Sequence, residues 1–502
     1  IQAGKKIHII GDYDIDGICS IYILFKGLLF LGADVDYEVP DRIKDGYGIN
    51  ENLIKQAYDD GREVILTCDN GIAATEQVRY ARSLGFTVIV TDHHDIRYEE
   101  IDGKKTYILP EADAIVNPKQ SDCSYPCSFL CGAGVAYKLM QELFKRTGNE
   151  GKEREFLVFA GIATVGDVVD LKDENRIFVK EGLKQFKETD NYGLRALTVI
   201  NGLDDKEICA YHIGFIIGPC LNASGRLDTA KRALKMLLSK DKYEAERLAG
   251  DLVSLNEERK SLTAAAVILA EKIVDENYTD DTVLVIYLPD CHESIAGIVA
   301  GRIREKYYKP VIVLTKGEDG VKGSARSIES YNIFEKLCEC SHLLTKFGGH
   351  PLAAGMSLKE DNIEELRKYL NEHSNLTKDD LTEKVWIDVP MPLEYINEDI
   401  INELSLLEPY GKGNEKPVFA DKNLIIVSFM RIGRDGKFAK MELKKNNGMS
   451  IFAMCFNNCD GLNEAFINNK RISCTYYPEI NEFRGNKKLQ ICITGYRIEE
   501  DI

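Results

Sequence analysis

The chain has 502 residues, of which 44% are hydrophobic and 29% are charged, a composition typical of a soluble globular protein with about three domains. Its formal net charge of −17 argues against a protein that coats nucleic acid with a uniformly positive surface, but it allows an enzyme with a local basic groove. No run of about 18 uncharged apolar residues occurs, so the sequence predicts no membrane span.

The 14 cysteines are spread over the whole chain and the sequence shows no secretory pattern, so we expect reduced thiols and a cytoplasmic location. Cys123, Cys127 and Cys131 lie at a spacing that matches no common zinc or iron–sulfur signature, and their role stays open. Because the chain begins with Ile1 and "KKIHII" already predicts a strand, we expect that an N-terminal segment is missing.

Short β-branched runs alternate with helical segments up to about residue 120, which predicts an open, mostly parallel α/β sheet. Residues 132–190 follow as a helical region. The predicted strands are 6–12, 34–40, 63–69, 87–93 and 113–118, and the helices between them are 17–31, 50–60 and 74–84.

One long helix is predicted from Lys242 to about Glu276, because apolar residues recur at alternating steps of four and three. Such a helix would be roughly 50 Å long, so we interpret it as a connector between domains; a core helix of one large domain is the alternative.

A second α/β pattern covers residues 282–359. Five short strands with polar turns end the chain and predict a small barrel, with an OB-fold as the leading candidate.

Acidic and imidazole side chains follow three of the predicted strands. Because ligands of an open parallel sheet bind outside the carboxyl ends of its strands, these side chains can share one crevice. Asp167 lies where a helix predicted at 156–165 ends. The residues at the strand ends are Asp12, Asp14 and Asp16 after the first strand, Asp69 after the third, and Asp92, His93 and His94 after the fourth.

Carboxylates together with neutral imidazole suit Mn²⁺, or Mg²⁺ where oxygen ligands dominate. Two ions that share one carboxylate activate a water and stabilise the leaving oxygen in the hydrolysis of a phosphate ester. The alternative is that these aspartates are helix caps and turn residues, which is common for a single aspartate after a strand. The occurrence of acidic or imidazole side chains at the ends of three strands favours a metal centre.

Four motifs, "GDYDIDG", "CDNG", "TDHH" and "VGDVVD", resemble in their order the motifs of the DHH phosphoesterase superfamily. Within it the chain is similar to the RecJ family of single-strand-specific 5′→3′ DNA exonucleases, and the similarity runs from Lys6 nearly to the C-terminus. The stretches that carry this narrower resemblance are "GPCLNASGRLDTA" (218–230), "KGSARS" (322–327), "FGGHPLAAGMSL" (347–358) and "LEPYGKGNEKPVF" (407–419).

The resemblance implies an α/β protein with four parts. They are a DHH-type parallel-sheet domain with the metal site (1–190), a linker region with the long connecting helix (191–276), a DHH-associated α/β domain that binds substrate (277–372) and a C-terminal OB-fold β-barrel that binds nucleic acid (385–502).

Carried over residue by residue, the resemblance also implies the site. Asp69 bridges two Mn²⁺ or Mg²⁺ ions, and the other metal ligands are Asp12, Asp14, His93 and Asp167. The implied catalytic residues are His94, beside the scissile phosphate, Asp16 and Asp92. The implied substrate-binding residues are Arg42, for the terminal 5′-phosphate, and Asn222, Arg226, Ser324, Arg326, Gly349 and His350.

For any single arginine of this set, a surface salt bridge is the alternative. Cys220 departs from the family pattern, because many members have arginine there, and this puts one phosphate contact in doubt.

The C-terminal barrel also has a composition suited to single strands, because basic residues can hold the backbone while aromatic residues stack on bases. A hairpin that is merely exposed to solvent can have the same run of basic residues, so this composition alone is weak support for DNA binding. The residues are Phe429, Arg431, Arg434, Lys437, Phe438, Lys440, Lys444 and Lys445, and then Tyr476, Tyr477, Phe483, Arg484, Lys487 and Lys488.

The implied function is a metal-dependent 5′→3′ exonuclease that degrades single-stranded DNA to nucleotides in DNA repair and recombination. A monomer is expected, with single-stranded DNA as its ligand and with a single-strand-binding protein and a helicase as partners. Two alternatives stay open. One is a DHH phosphodiesterase that acts on short oligonucleotides or cyclic dinucleotides, and the other is a non-catalytic replication or repair scaffold.

Overall fold

A computed structural model describes residues 1–101, 104–317, 320–433, 436–457, 459–483 and 486–499. The chain forms two units. The larger contains residues 1–169 and 173–383, and the smaller contains residues 170–172 and 384–502. In the residues that are described, no helix is both long enough and apolar enough to cross a bilayer.

The first part of the larger unit is a five-stranded parallel sheet with the strand order β2-β1-β3-β4-β7. Its central strands are buried along their whole length, which explains their continuous β-branched and apolar sequence. All five predicted strands and all three predicted helices are present, while a hairpin of two further strands was not predicted. The elements are β1 (Ile7–Ile10), α1 (Ile15–Phe30), β2 (Val35–Glu38), α2 (Glu51–Asp59), β3 (Val64–Cys68), α3 (Thr75–Ser83), β4 (Thr87–Thr91), the hairpin β5 (Tyr98–Ile101) and β6 (Lys104–Tyr107), and β7 (Ala114–Val116).

A run of helices then covers one side of this sheet and ends in the long helix that the leucine pattern predicts. The helices are α4 (Gly132–Arg146), α5 (Leu157–Gly166), α6 (Asp173–Phe186), α7 (Tyr192–Ile200), α8 (Ala210–His212), α9 (Gly218–Leu227), α10 (Lys231–Leu238) and α11 (Lys242–Asn277), with a 3₁₀ turn at Lys152–Phe156 and a π-helical turn at Ile213–Ile217.

Helix α11 joins the two halves of the larger unit. Leu248 and Leu252, in its N-terminal half, belong to the core beneath the first sheet. Ala270 and Val274, near its C-terminus, belong to a core that includes strands of a second sheet. The apolar residues therefore serve two different cores along one helix, as expected for a connector.

The second sheet is mixed, with the strand order β11-β12-β10-β9-β8, and only its β8–β9 pair is parallel. Residues of β10, β11 and β12 line a cleft towards the first sheet that is described below. The elements are β8 (Leu284–Tyr287), α12 (Glu293–Tyr307), β9 (Val311–Gly317), β10 (Gly320–Arg326), α13 (Ile333–Glu339), β11 (Leu344–His350), β12 (Ala353–Leu358) and α14 (Ile363–Glu372), with short 3₁₀ turns at Ser341–Leu343 and Glu360–Asn362.

The smaller unit is a closed five-stranded barrel with the strand order β13-β14-β15-β17-β16, which confirms the predicted OB-type barrel. A helix lies between the third and fourth strands in the chain. The elements are α15 (Glu398–Ser405), β13 (Phe419–Ile432), β14 (Phe438–Lys444), β15 (Ser450–Cys455), α16 (Asp460–Ile467), β16 (Arg471–Phe483) and β17 (Asn486–Ile498), preceded by a 3₁₀ turn at Leu393–Tyr395.

The cysteines are free thiols. Cys123 is exposed, whereas Cys127 and Cys131 are buried, and the Cys131 Sγ accepts a hydrogen bond from the backbone N–H of Gly134 at the start of α4. Within the described ranges, no group of side chains with the spacing of metal ligands contains a cysteine. Cys131 therefore caps α4, and both Cys127 and Cys131 pack in the core.

Candidate metal centre and substrate cleft

The predicted metal ligands meet at one edge of the first sheet. Strands β1, β3 and β4 are adjacent and parallel, so the loops at their carboxyl ends lie side by side. The C-terminus of α5 brings Asp167 to the same place. Three overlapping groups have ligand atoms within 4.8 Å of one another: Asp12, Asp14 and Asp69; Asp69, His93 and His94; and Asp16, His93 and Asp167.

His93 lies at the centre of this arrangement. Its Nε2 atom is 3.1 Å from Asp69 Oδ1, 3.6 Å from Asp16 Oδ2 and 3.7 Å from Asp167 Oδ2. Burial lowers the pKa of His93 despite the nearby negative charge of Asp16, so its imidazole is neutral at neutral pH. Neutral imidazole is the form that binds a metal ion.

The carboxylates around His93 oppose one another's ionisation. Burial raises the pKa of Asp12 and of Asp69 well above the usual range, and neighbouring carboxylates raise both further. Burial, followed by the charges of Asp16 and Asp14, raises the pKa of Asp167 to about 8. The centre therefore holds more negative charge than the surrounding protein compensates.

Three atoms of the centre are buried without a hydrogen-bond partner in the described part of the chain, namely Asp12 Oδ1, Asp69 Oδ1 and His93 Nε2. A buried polar atom without a partner costs about 1–3 kcal/mol, so such atoms are rare unless something else satisfies them. A divalent cation would satisfy all three and relieve the repulsion among the carboxylates. Oxygen atoms with one or two imidazole nitrogens fit Mn²⁺ well and also accommodate Mg²⁺.

Two of the aspartates are also held by the backbone N–H groups of helix N-termini. Asp14 caps α1, because its Oδ1 accepts hydrogen bonds from the N–H groups of Asp16 and Gly17. Both oxygens of Asp16 accept hydrogen bonds at the start of α4, from Gly132 at 2.6 Å and from Ala133 at 2.7 Å. The cap and ligand interpretations of Asp14 are therefore compatible, since the cap uses one of its two oxygens.

Asp92 and His94 form a hydrogen-bonded pair beside the centre. Asp92 Oδ2 accepts a hydrogen bond from the Ile72 N–H, and its Oδ1 lies 2.8 Å from His94 Nδ1. Burial opposes ionisation of Asp92, but its bonds with His94 outweigh this and hold its pKa below the usual range. Burial likewise opposes protonation of His94, yet the Asp92 bond and charge raise the pKa of His94 to about 9. Asp92 thus orients His94.

Tyr47 was not predicted from the sequence and lies in contact with the centre. Its hydroxyl donates a hydrogen bond to the Asp69 backbone oxygen at 2.8 Å and lies 3.2 Å from His94 Nδ1. Only its position five residues after Arg42 in "DRIKDGYG" could have drawn attention to it.

Asp69 itself has an unusual backbone and a tight neighbour. Its φ of 59° is in the left-handed region, which a residue other than glycine rarely adopts and which is often found at functional sites. Gly132 lies directly against its side chain, because a Cβ atom added at Gly132 would be 2.6 Å from Asp69 Cβ. The position of the Asp69 carboxylate therefore depends on the absence of a side chain at residue 132.

Two of the predicted substrate-binding residues connect parts of the larger unit. The Asn222 side-chain oxygen accepts a hydrogen bond from the Ile15 N–H at 2.8 Å, which holds the loop that carries Asp14. Arg226 is largely buried and donates to the Ser294 backbone oxygen at 2.8 Å, which links α9 to the start of α12. Burial and the charge of Arg42 lower the pKa of Arg226 to about 10, so it remains a cation at neutral pH.

A cavity of about 580 Å³ lies between the two sheets, next to the metal centre. Tyr13 and Arg42 line it from the first sheet, and the Arg42 guanidinium lies 4.9 Å from the centroid of the Tyr13 ring. Ser324 lines it from the second sheet. Arg42 and Ser324 thus line this cavity, and Arg226 bonds to the lining residue Ser294.

The other predicted residues of the second sheet lie beside the cavity. Arg326 is half-buried and its guanidinium contacts Gly297, where an added Cβ would be 3.2 Å from it. Gly349 is packed so closely that an added Cβ would be 2.4 Å from the Ala353 oxygen. His350 is exposed and lies near Asp95, in the loop that follows the "TDHH" motif.

Cys220 is buried and accepts a hydrogen bond from the Asn256 side chain at 3.5 Å. Residue 220 therefore supplies no cation to the site.

The barrel carries an aromatic and basic face on its second and third strands. Phe452 is exposed, and the ammonium groups of Lys440 and Lys488 lie 5.4 Å and 5.9 Å from its ring centroid. Phe438 and Phe456 form a second, edge-to-face pair on the same face. This is the face of an OB-fold that binds oligonucleotides.

The prediction for the barrel was wrong for Tyr476. Its side chain is fully buried in the barrel core and its hydroxyl donates a hydrogen bond to the Met391 oxygen, so it cannot stack on a base. Arg431 and Lys445 are paired with carboxylates. Arg434 and Arg484 lie outside the described residues.

Comparisons with known proteins agree across the whole chain. Residues 6–164 match the DHH family N-terminal domain, residues 280–374 the DHHA1 domain and residues 387–495 the RecJ OB domain. Single-stranded-DNA-specific exonuclease RecJ of Bacillus subtilis (strain 168) is 37% identical over 100% of this chain, and the chain spans 62% of that relative's length. The protein of the same name from Haemophilus influenzae is 33% identical over 98% of this chain and 88% of its own length.

Two solved structures match the full chain. RecJ of Thermus thermophilus in complex with Mn²⁺ superposes with a TM-score of 0.84 at 28% identity, with 70% of that chain covered. The same protein in complex with Mg²⁺ gives a TM-score of 0.78 at 27% identity, with 68% covered.

The contact between Gly132 and Asp69 generates a prediction about stability. Gly132→Ala forces a methyl group against a buried carboxylate, and overpacking of this kind costs about 1–3 kcal/mol. We expect a lower urea midpoint for this variant. Gly134→Ala is the matched control, because its nearest neighbour would be 3.4 Å away, an ordinary contact. Equal midpoints for both variants would show that Asp69 moves without cost.

Proposed function

Because this chain belongs to the RecJ family of single-stranded-DNA-specific exonucleases, we propose that it hydrolyses single-stranded DNA from the 5′ end and releases nucleotides, with two Mn²⁺ or Mg²⁺ ions as cofactors. The observation that carries the proposal is the set of buried, unpartnered ligand atoms of Asp12, Asp69 and His93 at the carboxyl ends of three adjacent strands. DNA repair and recombination are the processes in which a RecJ-type activity serves.

The residues divide between the two ions as follows in this proposal. Asp12, Asp14 and Asp69 would hold one ion, Asp69, His93 and Asp167 would hold the other, and Asp69 would contribute to both. When bound, such ions lower the pKa of a water molecule and polarise the phosphoryl oxygens. Asp16, in the first turn of α1, supports His93 at 3.6 Å from its Nε2 atom, while backbone N–H groups at the start of α4 hold both oxygens of Asp16.

The chain's own residues orient the strand. Asp92 and Tyr47 fix the ring of His94, which we assign to a contact with the scissile phosphate. Arg42, stacked on Tyr13 at the border of the cavity, holds the 5′-phosphate of the terminal nucleotide. Ser324, Arg326, Gly349 and His350 hold the same nucleotide from the second sheet, while Asn222 and Arg226 keep the two walls in register.

Two observations favour this function over its alternatives. A phosphodiesterase for dinucleotides has no need of a barrel that matches the RecJ OB domain, and a scaffold protein gains nothing from unpartnered buried carboxylates. The test is digestion of 5′-labelled single-stranded DNA with and without Mn²⁺, with cyclic di-AMP and a dinucleotide as alternative substrates in parallel reactions. Degradation of the cyclic dinucleotide in preference to DNA would overturn the proposal.

The proposal extends to location and assembly through the family resemblance alone. It includes a cytoplasmic monomer and, as protein partners, a single-strand-binding protein and a helicase.

Asp69→Ala tests the shared ligand. We expect loss of activity and an unchanged or higher melting temperature without metal, because the substitution removes repulsion among buried carboxylates. In the wild type, saturating Mn²⁺ raises the melting temperature, since a ligand at about 100 times its Kd stabilises the folded state by about 2.7 kcal/mol. The variant should show a smaller rise, while Asp122→Ala, an exposed control, should match the wild type. Full activity of Asp69→Ala in saturating Mn²⁺ would refute the two-ion site.

Arg42→Ala tests the terminal phosphate contact. The wild type should cut 5′-phosphorylated ends faster than 5′-hydroxyl ends by about ten- to a hundredfold, as expected for a charge-assisted hydrogen bond of about 1.5–3 kcal/mol. The variant should cut both ends at similar rates. Arg79→Ala, which removes an exposed arginine of the same domain, should keep the preference. Equal rates on both ends in the wild type would reject the phosphate contact.

Phe452→Ala tests the barrel. Stacking of one base on an aromatic ring contributes about 1–3 kcal/mol, so we expect a KM on long single strands that is higher by about fivefold or more. The KM on dinucleotides should not change, because they are too short to need the barrel. Ile467→Ala, an exposed apolar control in the same unit, should leave both values unchanged. An unaltered KM of Phe452→Ala on long strands would exclude this face from DNA binding.

A further inference from the structure

The cavity between the two sheets holds more positive charge than one terminal phosphate requires. Four basic side chains line it, two from loops of the first sheet and two from strands of the second: Arg42, Arg97, Lys322 and Lys346. Glu293 is the one acidic residue of the lining, and its carboxylate lies 2.9 Å from Lys322 Nζ. Lys322 is therefore neutralised within the cavity wall.

The remaining three cations are available to a ligand. Arg42 stacks on Tyr13 and is half-buried, while Arg97 and Lys346 are exposed. Through all the ranges that the structure describes, none of the three lies within ion-pairing distance of a carboxylate. A terminal phosphate carries a charge of about −1.5 to −2 at neutral pH, so a charge of +3 exceeds what a monophosphate neutralises.

The wall beside these cations leaves room for a ligand. Gly348 on β11 pairs directly with Gly355 on β12, and both line the cavity. A Cβ atom added at either glycine would meet nothing within 4 Å, so the space that side chains would fill is open. A volume of about 580 Å³ lies in the usual range for small-molecule sites, about 300–1,000 Å³.

We propose that this cavity binds 5′ ends that carry a di- or triphosphate, with Arg97 and Lys346 holding the phosphates beyond the one at Arg42. The inference rests on the proposed function, because it assumes that the terminal nucleotide enters at Arg42. It adds to that function a class of substrate, namely strands whose first nucleotide is a nucleoside 5′-polyphosphate. The excess of positive charge in the cavity and the open space beside Gly348 and Gly355 support this proposal independently of the metal centre.

The chemical step is the same hydrolysis as at a monophosphorylated end. A water oxygen bonds to the phosphorus that joins the first and second nucleotides, the bond from that phosphorus to the 3′-oxygen of the first nucleotide breaks, and the 3′-oxygen takes up a proton. The products are a nucleoside 5′-triphosphate, with its phosphate chain intact, and a strand with a new 5′-monophosphate.

The experiment measures binding and needs no turnover. Fluorescence anisotropy gives the affinity of the full chain for one labelled oligonucleotide with a 5′-triphosphate, a 5′-monophosphate or a 5′-hydroxyl, without added metal. We expect the triphosphate to bind about tenfold more tightly than the monophosphate, as for one added charge-assisted contact. In the double variant R97A/K346A this ratio should fall towards one. The matched control R195A/K368A removes an exposed arginine and an exposed lysine that do not line the cavity, and it should keep the wild-type ratio.

Each outcome is decisive for the proposal. A wild-type ratio of one or less, or a ratio that R97A/K346A leaves unchanged, would overturn it. Cleavage of the monophosphorylated strand in Mn²⁺ tests the proposed function separately. A chain that cuts this strand but binds the triphosphate no better would retain the exonuclease function and lose only the polyphosphate class.

Discussion

Mutual repulsion among buried carboxylates is the constraint on which the rest of the larger unit depends. Asp12, Asp69 and Asp167 each have a pKa raised by burial and by neighbouring carboxylates, so without a counter-charge the folded chain holds them together at a cost. The parallel sheet makes this concentration possible, because it brings the carboxyl ends of β1, β3 and β4 to one edge. A fold that tolerates such a cost in the absence of metal gains stability when a divalent cation binds.

Local contacts hold four of the carboxylates in place. Asp14 is fixed as the cap of α1, Asp16 by two N–H groups at the start of α4, and Asp92 by the Ile72 N–H and His94. Asp69 is held by its left-handed backbone and by the space at Gly132. Most of these restraints are backbone features, so they keep the oxygens in place whether or not metal is present, which is what preorganisation of a metal site requires.

Much of the fold follows from the sequence, because its signals are local. β-branched runs predicted the five strands of the first sheet, and the leucine pattern predicted α11 to within one residue of its C-terminus at Asn277. The hairpin β5–β6 was missed because it is short and its residues are largely polar, so no buried face imposes a periodic pattern.

The acidic and imidazole side chains that cluster at the site were predicted from the sequence. The residues that hold those side chains in place were predicted less well. Aspartate and histidine residues at strand ends can be identified in a single sequence, because the apolar run of a buried strand shows where the strand ends. The roles of Tyr47 and Arg97 depend on which loops meet in space, and nothing in their local sequence reports this. Tyr476 shows the converse error, since a tyrosine expected to stack on bases lies in the barrel core because strand alternation turns it inward.

The distribution of charge explains how an acidic protein could bind the 5′ end of a DNA strand, which is a polyanion. The net charge of −17 is a sum over the whole chain, whereas at the site acidic and basic side chains are separated within a few residues. Asp12 and Asp14 lie on either side of Tyr13 in the sequence and belong to the metal centre, while the ring of Tyr13 supports the Arg42 guanidinium at the border of the cavity. A phosphodiester can approach the carboxylates only with bound cations, whereas a terminal phosphate can bind at Arg42 without them. In the proposed function this separation of charge gives the strand one favourable direction of entry, with its terminal phosphate in the basic cavity and its first internucleotide linkage at the metal centre. The same asymmetry would then be a physical basis for the proposed 5′→3′ polarity.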